Sequence, residues 1–344
     1  MANNITLATQ FVPILDEVYK NASLTAKLDG ASELVSQGAN AGELIIPMLD
    51  MQGLGDYSRN DGYVGGDVTL TNETVKCNYD RGRMFNVDNM DNQESANIAF
   101  GRLAGEFIRT KVVPELDAFR FASYAGKAGI SKVLEGATLS SGEEVLKAIR
   151  AATTQMDEDE VPMEDRHLFI TPTLEGMIMD LETYKSKDVL NRFASKTLVP
   201  QTRFYTAIEL KSGKNSEAAG GYTKCTKKYA KASAADPGAL EVIASSGTVS
   251  GNQIKLSDVT PVADSGYTPQ VGDYVVNIEG AEINFMIIHK PAVIQFEKHV
   301  APKIISPDVN QTADAYKFGY RNVGIADVYT NKLAGIYLHH KAVE

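Results

Sequence analysis

Residues 43–90 contain two strand-like runs separated by a glycine-rich tract too long and too polar to fold on itself. Leu44-Ile45-Ile46-Pro47-Met48-Leu49 opens the first run, and Gly53, Gly55, Gly62, Gly65 and Gly66 follow. Val68, Leu70, Thr74, Val75 and Tyr79 then alternate loosely with polar residues up to Met84-Phe85-Asn86-Val87. The pattern predicts two strands joined by a charged tip carrying Asp56, Tyr57, Arg59, Asp61 and Tyr63. A lone two-stranded ribbon is marginal in water, and a structureless connection this long is uncommon inside a compact domain. The ribbon is therefore expected to rest on a surface outside its own domain, such as a second copy of the chain.

The strongest helix signal comes next. Asp91 and Glu94 have capping-box spacing, and Ile98, Phe100, Leu103, Phe107, Ile108, Val112, Leu116 and Phe119 form an apolar stripe closed by Gly126 and Gly129. Pro114 interrupts the stripe, so a kink is expected near residues 110–113, because the proline ring crowds the preceding turn. A second helix is predicted from Ser141, with Glu144 as its box partner and an acidic end at Asp157-Glu158-Asp159-Glu160. His167-Leu168-Phe169-Ile170 reads as a buried strand, and Thr171-Pro172 starts a third helix, proline being well placed at the first helical position. Ahead of all this, Phe11, Ile14, Leu15 and Tyr19 fall at helical spacing in an N-terminal arm expected to dock on another surface.

From about 206 to 282 helical periodicity stops. Short runs such as Leu240-Glu241-Val242-Ile243 and Tyr274-Val275-Val276-Asn277-Ile278 stand between Ser/Gly/Asn turns, predicting an inserted all-β module. Strands resume at Ile283–Ile288 and Ala292–Phe296. Residues 324–329 and 333–338 around Thr330-Asn331-Lys332 predict a closing hairpin.

Composition narrows the function. Of the 344 residues, 43% are apolar and 23% charged, enough to build a core. Lys plus Arg number 34 against 44 Asp plus Glu, a net charge of −10, which argues against a chain whose main task is gripping phosphates. Cys77 and Cys225 are too few for a disulfide framework or a thiolate zinc site. No window is long and apolar enough to span a membrane, and the N-terminus lacks the basic and apolar regions of a secretory signal. A soluble protein made in a reducing cytoplasm is expected.

Chemical motifs are weak. Gly53-Leu54-Gly55 lacks the third glycine and following helix of a dinucleotide loop. His339-His340 are adjacent, so in a strand they face opposite sides. His167, His289 and His299 read as core or edge residues. The basic residues Lys76, Arg81, Arg83, Arg102, Arg109 and Lys111 fit ion pairs between subunits as well as they fit nucleic acid. No nucleophile–base–orienter set assembles, so no catalytic, metal or cofactor residue is assigned, and a non-enzymatic assembly protein is expected.

The order of parts resembles one family. An arm, a ribbon loop, a long helix, an α/β domain with an inserted β module and closing strands together are similar to the major capsid proteins of tailed bacteriophages with the Hong Kong 97-like fold. The most specific stretches are Glu282-Ile283-Asn284-Phe285-Met286-Ile287-Ile288-His289-Lys290-Pro291-Ala292-Val293, Asp314-Ala315-Tyr316-Lys317-Phe318-Gly319-Tyr320-Arg321, and Asn331-Lys332-Leu333-Ala334-Gly335-Ile336-Tyr337.

The resemblance implies an α+β fold. Its parts would be an N-terminal arm (1–42), an E-loop (43–90), a P-domain with the spine helix (91–126 and 301–344), an A-domain (127–205 and 283–300) and the insertion (206–282). It implies subunit contacts through Asp56, Tyr57, Arg59, Asp61, Tyr63, Lys76 and Arg81 of the E-loop, and through Phe11, Ile14, Leu15 and Tyr19 of the arm, with the spine kinked at Pro114. The partners it implies are copies of the chain in pentamers and hexamers, a separate scaffolding protein, a portal and a possible decoration protein. The icosahedral shell would enclose double-stranded DNA without reading its sequence, be assembled in the bacterial host cytoplasm and belong to the virion, with no membrane. An encapsulin-like compartment enclosing enzymes is the alternative, and an enzyme with a β-domain lid a more distant one.

Overall fold

The computed structural model describes residues 23–30, 36–37, 43–57, 59–60, 62–63, 65–94, 98–133, 136–181, 188–214, 217–225, 229–232, 240–246, 253–255, 262–263, 274–277 and 279–342. The arm residues Phe11, Ile14, Leu15 and Tyr19 lie outside them.

The first strands follow the sequence pattern closely. β1 (Ser36–Gln37), β2 (Glu43–Met51) and β3 (Val68–Lys76) form an antiparallel three-stranded sheet in that order. β2 and β3 pair without a break from Glu43↔Lys76 to Met51↔Val68. The second predicted run is two strands rather than one. After Cys77-Asn78 the chain enters β4 (Tyr79–Asp88), which leaves the ribbon and pairs with a C-terminal strand instead.

The long helical run is built in pieces: α1 (Asn89–Glu94), α2 (Ile98–Phe107), a π-helical turn (Ile108–Val112) and α3 (Val113–Gly126). Its first cap is Asp88, whose Oδ1 accepts from Met90 N at 2.9 Å, three residues before the expected Asp91. The π turn directly precedes Pro114. Val113 N donates five residues back to Ile108 O, a wider loop that eases the crowding a proline ring imposes on an α-helical carbonyl.

β5 (Ser131–Lys132) leads to α4 (Gly142–Glu158). Ser141 Oγ accepts from Glu144 N at 3.3 Å, and the Glu144 carboxylate reaches back to Ser140 N at 2.8 Å, so both arms of the box are made, the return arm one residue early. β6 (Arg166–Ile170) is buried at every residue, and α5 (Pro172–Met179) follows with Pro172 in its first turn. β7 (Ser195–Leu198) runs parallel to β6.

The 206–282 stretch contains β8 (Ile208–Leu210), β9 (Tyr222–Lys224), β10 (Tyr229–Ala232), β11 (Leu240–Ser246), β12 (Gln253–Lys255), β13 (Val262–Ala263) and β14 (Tyr274–Asn277). β8 and β9 pair alone, and the others form a sheet ordered β12-β14-β10-β11-β13. The two ends of the stretch lie side by side. Tyr205 bridges Glu282, Thr206 N donates to Ala281 O at 2.9 Å, and Ile283 N donates to Phe204 O at 3.0 Å.

β15 (Ile283–His289), β16 (Val293–Ile305), β17 (Ala315–Val328) and β18 (Ile336–His340) complete the chain. The hairpin expected over 324–338 is not formed. A 3₁₀ segment at Thr330–Gly335 carries the chain away, and β18 pairs with β15, in register Ile283↔His340 to Ile288↔Ile336. A Cβ on Gly335 would stand 2.5 Å from Ala292 Cβ, so the close approach of this segment to the Lys290–Ala292 turn requires glycine.

Two compact units result. One takes in the chain up to Leu28, Gly101–Val293 and Val328–Glu344. At its heart is a sheet ordered β5-β18-β15-β6-β7. Val145, Ile149, Ala152 and Met156 of α4 and Leu174 and Ile178 of α5 pack with Leu168, Ile170, Phe285 and Ile287 of the sheet. The alternate residue Phe169 meets Phe121 of α3, ring centroids 5.2 Å apart, and Phe121 meets Phe204 at 4.9 Å. Helices on both faces explain why Leu168–Ile170 of β6 and Phe285–Ile288 of β15 read as unbroken apolar runs rather than alternating ones.

The other unit comprises Asp29–Phe100 and Ile294–Asp327. Its sheet is ordered β16-β17-β4, and β4 and β17 pair over ten residues from Ala315↔Asp88 to Gly324↔Tyr79. The ribbon projects from this unit's chain between β1 and β4.

Candidate functional site

The ribbon presents the largest concentration of solvent-facing apolar side chains among the described residues. At its outer end Met51 and Val68 stand opposite each other, each 64% exposed, and Leu70 is 66% exposed. Beyond them the tip carries Leu54, fully exposed, Tyr57 at 61% and Tyr63 at 90%. The two tyrosine rings lean on each other, centroids 4.9 Å apart and planes at 58°. The tip's neck is closed by Gln52, whose N donates to Asp67 O at 3.4 Å and whose Oε1 accepts from Asp67 N at 3.3 Å. Gly62, at φ +77°, makes a turn that a side chain would strain.

Exposed apolar area of this kind is what a partner removes from water. Fully burying one such side chain stabilises by roughly 1.5–3 kcal/mol, and contiguous exposed patches mark interaction surfaces. The tip is also polar: Asp56 and Arg59 are exposed beside the tyrosines. An aromatic pair with charges at its edge suits a contact with an apolar centre and a wet rim.

The sequence-chosen residues are distributed over several places. Asp56, Tyr57, Arg59 and Tyr63 share the tip, and Asp61 lies outside the described residues. Lys76 is the exposed last residue of β3, at the opposite end of the ribbon. Arg81 is half-buried in β4 opposite Asn322, within a sheet rather than on the ribbon. Pro114 follows the π turn in α3, where Arg109, Thr110 and Lys111 are exposed and Arg109 pairs with Glu106 at 2.8 Å.

Sequence reasoning passed over two features that position the surface. The first is Asn78, at the point where the ribbon ends and β4 begins. Its side chain bonds Ala326 of β17 in both directions, Nδ2 to O at 2.8 Å and Oδ1 from N at 3.1 Å. The second lies at the arm's root. Asp117, fully buried in α3, accepts from Ser23 Oγ at 2.8 Å, Leu24 N at 3.1 Å, Thr25 Oγ1 at 2.9 Å and Arg203 Nη1 at 3.4 Å. Arg120, one turn on, donates to Thr25 Oγ1 at 2.8 Å. Asp117 and Arg120 set among Leu116, Ala118, Phe119 and Phe121 were the available signal, because buried charges of this kind need partners.

Buried histidines cluster in the five-stranded sheet. His339 stacks on Phe285 at 4.9 Å, and its Nδ1 lies 3.0 Å from Asn284 Nδ2. Burial and the neighbouring His340 push it down to about 4. Among the described residues no three His, Cys, Asp or Glu side chains converge as a metal site would require, and no described helix is long and apolar enough to cross a membrane.

No family model matches the sequence, and no curated protein matches it. Among solved structures the chain is similar to one from Mycobacterium phage Che8, with TM-score 0.45 and 13% identity over 87% of this chain and 84% of that one. It is similar to the capsid of cyanophage P-SCSP1u, with TM-score 0.48 and 11% identity over 90% and 85%. It is similar also to a virus-like particle from Pyrococcus furiosus, with TM-score 0.48 and 10% identity over 94% and 95%.

Proposed function

We propose that the chain is the major capsid protein of a tailed bacteriophage, a shell subunit whose stability is completed by its neighbours. The observation that carries this reading is the ribbon: a fully paired two-stranded projection that holds Met51, Leu54, Tyr57, Tyr63, Val68 and Leu70 in water. A single chain gains nothing from such a projection. A ring of copies gains an apolar contact at every junction, and head-to-tail contacts of one kind close into rings of five and six.

In this reading the ribbon of one copy lies across the long helical run of the next, and the arm reaches another neighbour from its fixed root at Ser23–Thr25. Each contact is weak, and many per subunit add through high effective concentration. The π turn before Pro114 supplies a place where the helical run changes register as a precursor shell expands, a rigid-body transition between two packings. The net charge of −10 suits a lining that lets packaged double-stranded DNA slide past. A separate scaffolding protein, a portal and a possible decoration protein complete the assembly, which forms in the bacterial host cytoplasm and ends in the virion.

Electron microscopy of the chain overexpressed alone and with its neighbouring genes tests this. Capsomers or closed shells are the expected products, with DNA inside when packaging proteins are present. Shells filled with protein cargo would point to an encapsulin-like compartment. A monodisperse monomer at high concentration would overturn the reading.

A further inference from the structure

Two buried histidines occupy one end of the five-stranded sheet. His167 on β6 and His289 at the end of β15 stand on neighbouring strands, with Ile288 opposite His167 and His289 opposite Arg166. They are 8% and 9% exposed. His167 Nδ1 lies 2.7 Å from Ser195 Oγ on β7. Its Nε2 is buried with no hydrogen-bond partner. One ring nitrogen is thus satisfied, and the other has no neighbour to accept its proton.

The surroundings are rich in cations. Lys27 of the 3₁₀ turn Ala26–Leu28, Lys290 and Asp165 act on His167. Arg166, Asp165, Lys332 and His167 itself act on His289. Arg166 is already committed: its Nη1 pairs with Asp157 at 2.7 Å and its Nε donates to Pro162 O at 2.9 Å, folding the 157–165 loop over the strand end. Asp165, two residues before His167 and favouring the charged form of both rings, is exposed and held at φ 56° next to Arg166, while its carbonyl accepts from Lys290 N at 3.0 Å.

We infer that His167 and His289 form an acid-responsive clasp: as neutral rings they hold β6, β7, β15 and the 157–165 loop together, and as cations they loosen that end of the sheet. A second proton on His167 makes Nε2 a buried donor with no acceptor, which costs its full desolvation. Two new charges also join Lys27, Arg166, Lys290 and Lys332, with Asp157 already engaged and Asp165 acting against them. Burial, the leading cause, together with the neighbouring cations and against the opposing pull of Asp165, holds both imidazoles below the ordinary histidine value. The folded state therefore binds fewer protons than the unfolded one. The clasp is complete above the unfolded histidine value and weakens as pH falls through and below about 6.5. The device lies within one chain and does not depend on the shell reading.

Hydrogen exchange of the full chain at pH 7.5 and pH 5.0, with labelling times corrected for the intrinsic rate, reads it directly. The expected result is a loss of protection by about tenfold or more in 160–170 and at the Ile288–Lys290 end of β15, with the α4 core protected throughout. The neutral double variant His167→Gln/His289→Gln is expected to abolish most of that loss. Unchanged protection in the wild-type chain at pH 5.0 would overturn the clasp whether or not the variant folds. An undiminished loss in a folded double variant would overturn it too, as would a loss that disappears in His339→Gln instead.

Discussion

Asn78 stands in for a peptide group: its side-chain amide donates to Ala326 O at 2.8 Å and accepts from Ala326 N at 3.1 Å. The pairing lies where β3 leaves the ribbon and β4 joins β17, so the chain passes from one sheet to the other with this stretch of β17 backbone satisfied. Two residues further along the chain, Asp80 of β4 pairs bidentately with Arg321 of β17 at 2.9 and 2.6 Å in the open. That exposed pair is a modest contributor, whereas Asn78 holds the β17 backbone through two bonds at a part-buried position.

Replacing Asn78 with Ala is therefore expected to destabilise the chain by about 1–3 kcal/mol, since Ala326 would lose both partners at a part-buried position. Asn78→Asp restores the acceptor but not the donor, and should fall between the two. Chemical denaturation of the three proteins gives the order. Equal stability of Asn78→Ala and wild type would show that the corner is held elsewhere.

The ribbon tip should behave oppositely. Leu54→Ser with Tyr63→Ser touches side chains that face water, so the melting temperature is expected to stay within about 2 °C of wild type. Assembly, followed by sedimentation and electron microscopy, should be lost or greatly reduced. Normal shells from the double variant would remove the tip from the list of contacts, and a large drop in stability would mean that the tip packs on its own chain.

Local chemistry was readable in advance where a short stretch decides its own structure. Ser141 with Glu144, Pro172 at a helix start, and the apolar run Leu168–Ile170 of β6 each depend on neighbours a few residues away. Pairing partners were not readable. The stretch Val68–Val87 looks like one strand, because nothing in its alternation marks Asn78 as a staple to a residue 248 positions later. The closing hairpin failed for the same reason. β17 and β18 carry strand patterns that fit each other as well as they fit β4 and β15, and the choice rests on Gly335 and the 3₁₀ segment, which are tertiary facts. Of the candidate surface, the tip was legible from its glycines. Lys76 and Arg81, chosen for charge alone, sit at the ribbon base and in a different sheet.

Asp117 anchors the arm's root, and its removal should be costly. Asp117→Ala takes away the shared acceptor of Ser23, Leu24, Thr25 and Arg203 inside a closed core, and a loss of about 3–5 kcal/mol is expected for breaking a buried charged network from one side. The double change Ser23→Ala/Thr25→Val removes two donors and should cost less, while exposing 23–28 to limited proteolysis. Resistance to protease in that variant would show that the root is fastened by other contacts.

The 206–282 stretch ends where it begins, which makes its removal a clean experiment. Gly280 approaches Ala207 so closely that a Cβ there would lie 2.3 Å from Ala207 O, so joining Ala207 to Gly280 through a short Gly-Ser linker leaves Phe204, Tyr205 and Thr206 paired with Ala281–Ile283. The shortened chain is expected to be soluble and to melt cooperatively, because the core of α4, α5, β6 and β15 has no member in the deleted part. Insolubility would show that the module completes that core.

His339 provides a pH dependence separate from that of the clasp. Its folded value of about 4 lies well below the ordinary 6.5, burial being the main cause and His340 the second. A histidine depressed in this way is neutral in the fold and charged in the unfolded chain once the pH is below about 6.5, so stability falls as pH drops from about 6.5 to about 4 and levels off below that. The difference of about 2.5 units corresponds to roughly 3 kcal/mol over the window. His339→Gln keeps a polar group near Asn284 and cannot take a proton, so between pH 6.5 and 4 its stability curve should be flatter than wild type by about that amount. Because the unfolded histidine takes up its proton near pH 6.5 while the folded ring stays mostly neutral down to about 4, the loss accrues across the whole window, and denaturation measured at pH 6.5, 5.0 and 4.0 resolves it. A wild-type curve parallel to the variant's across those three points would mean that the ring keeps a proton in the fold, with Asn284 turned to present its oxygen.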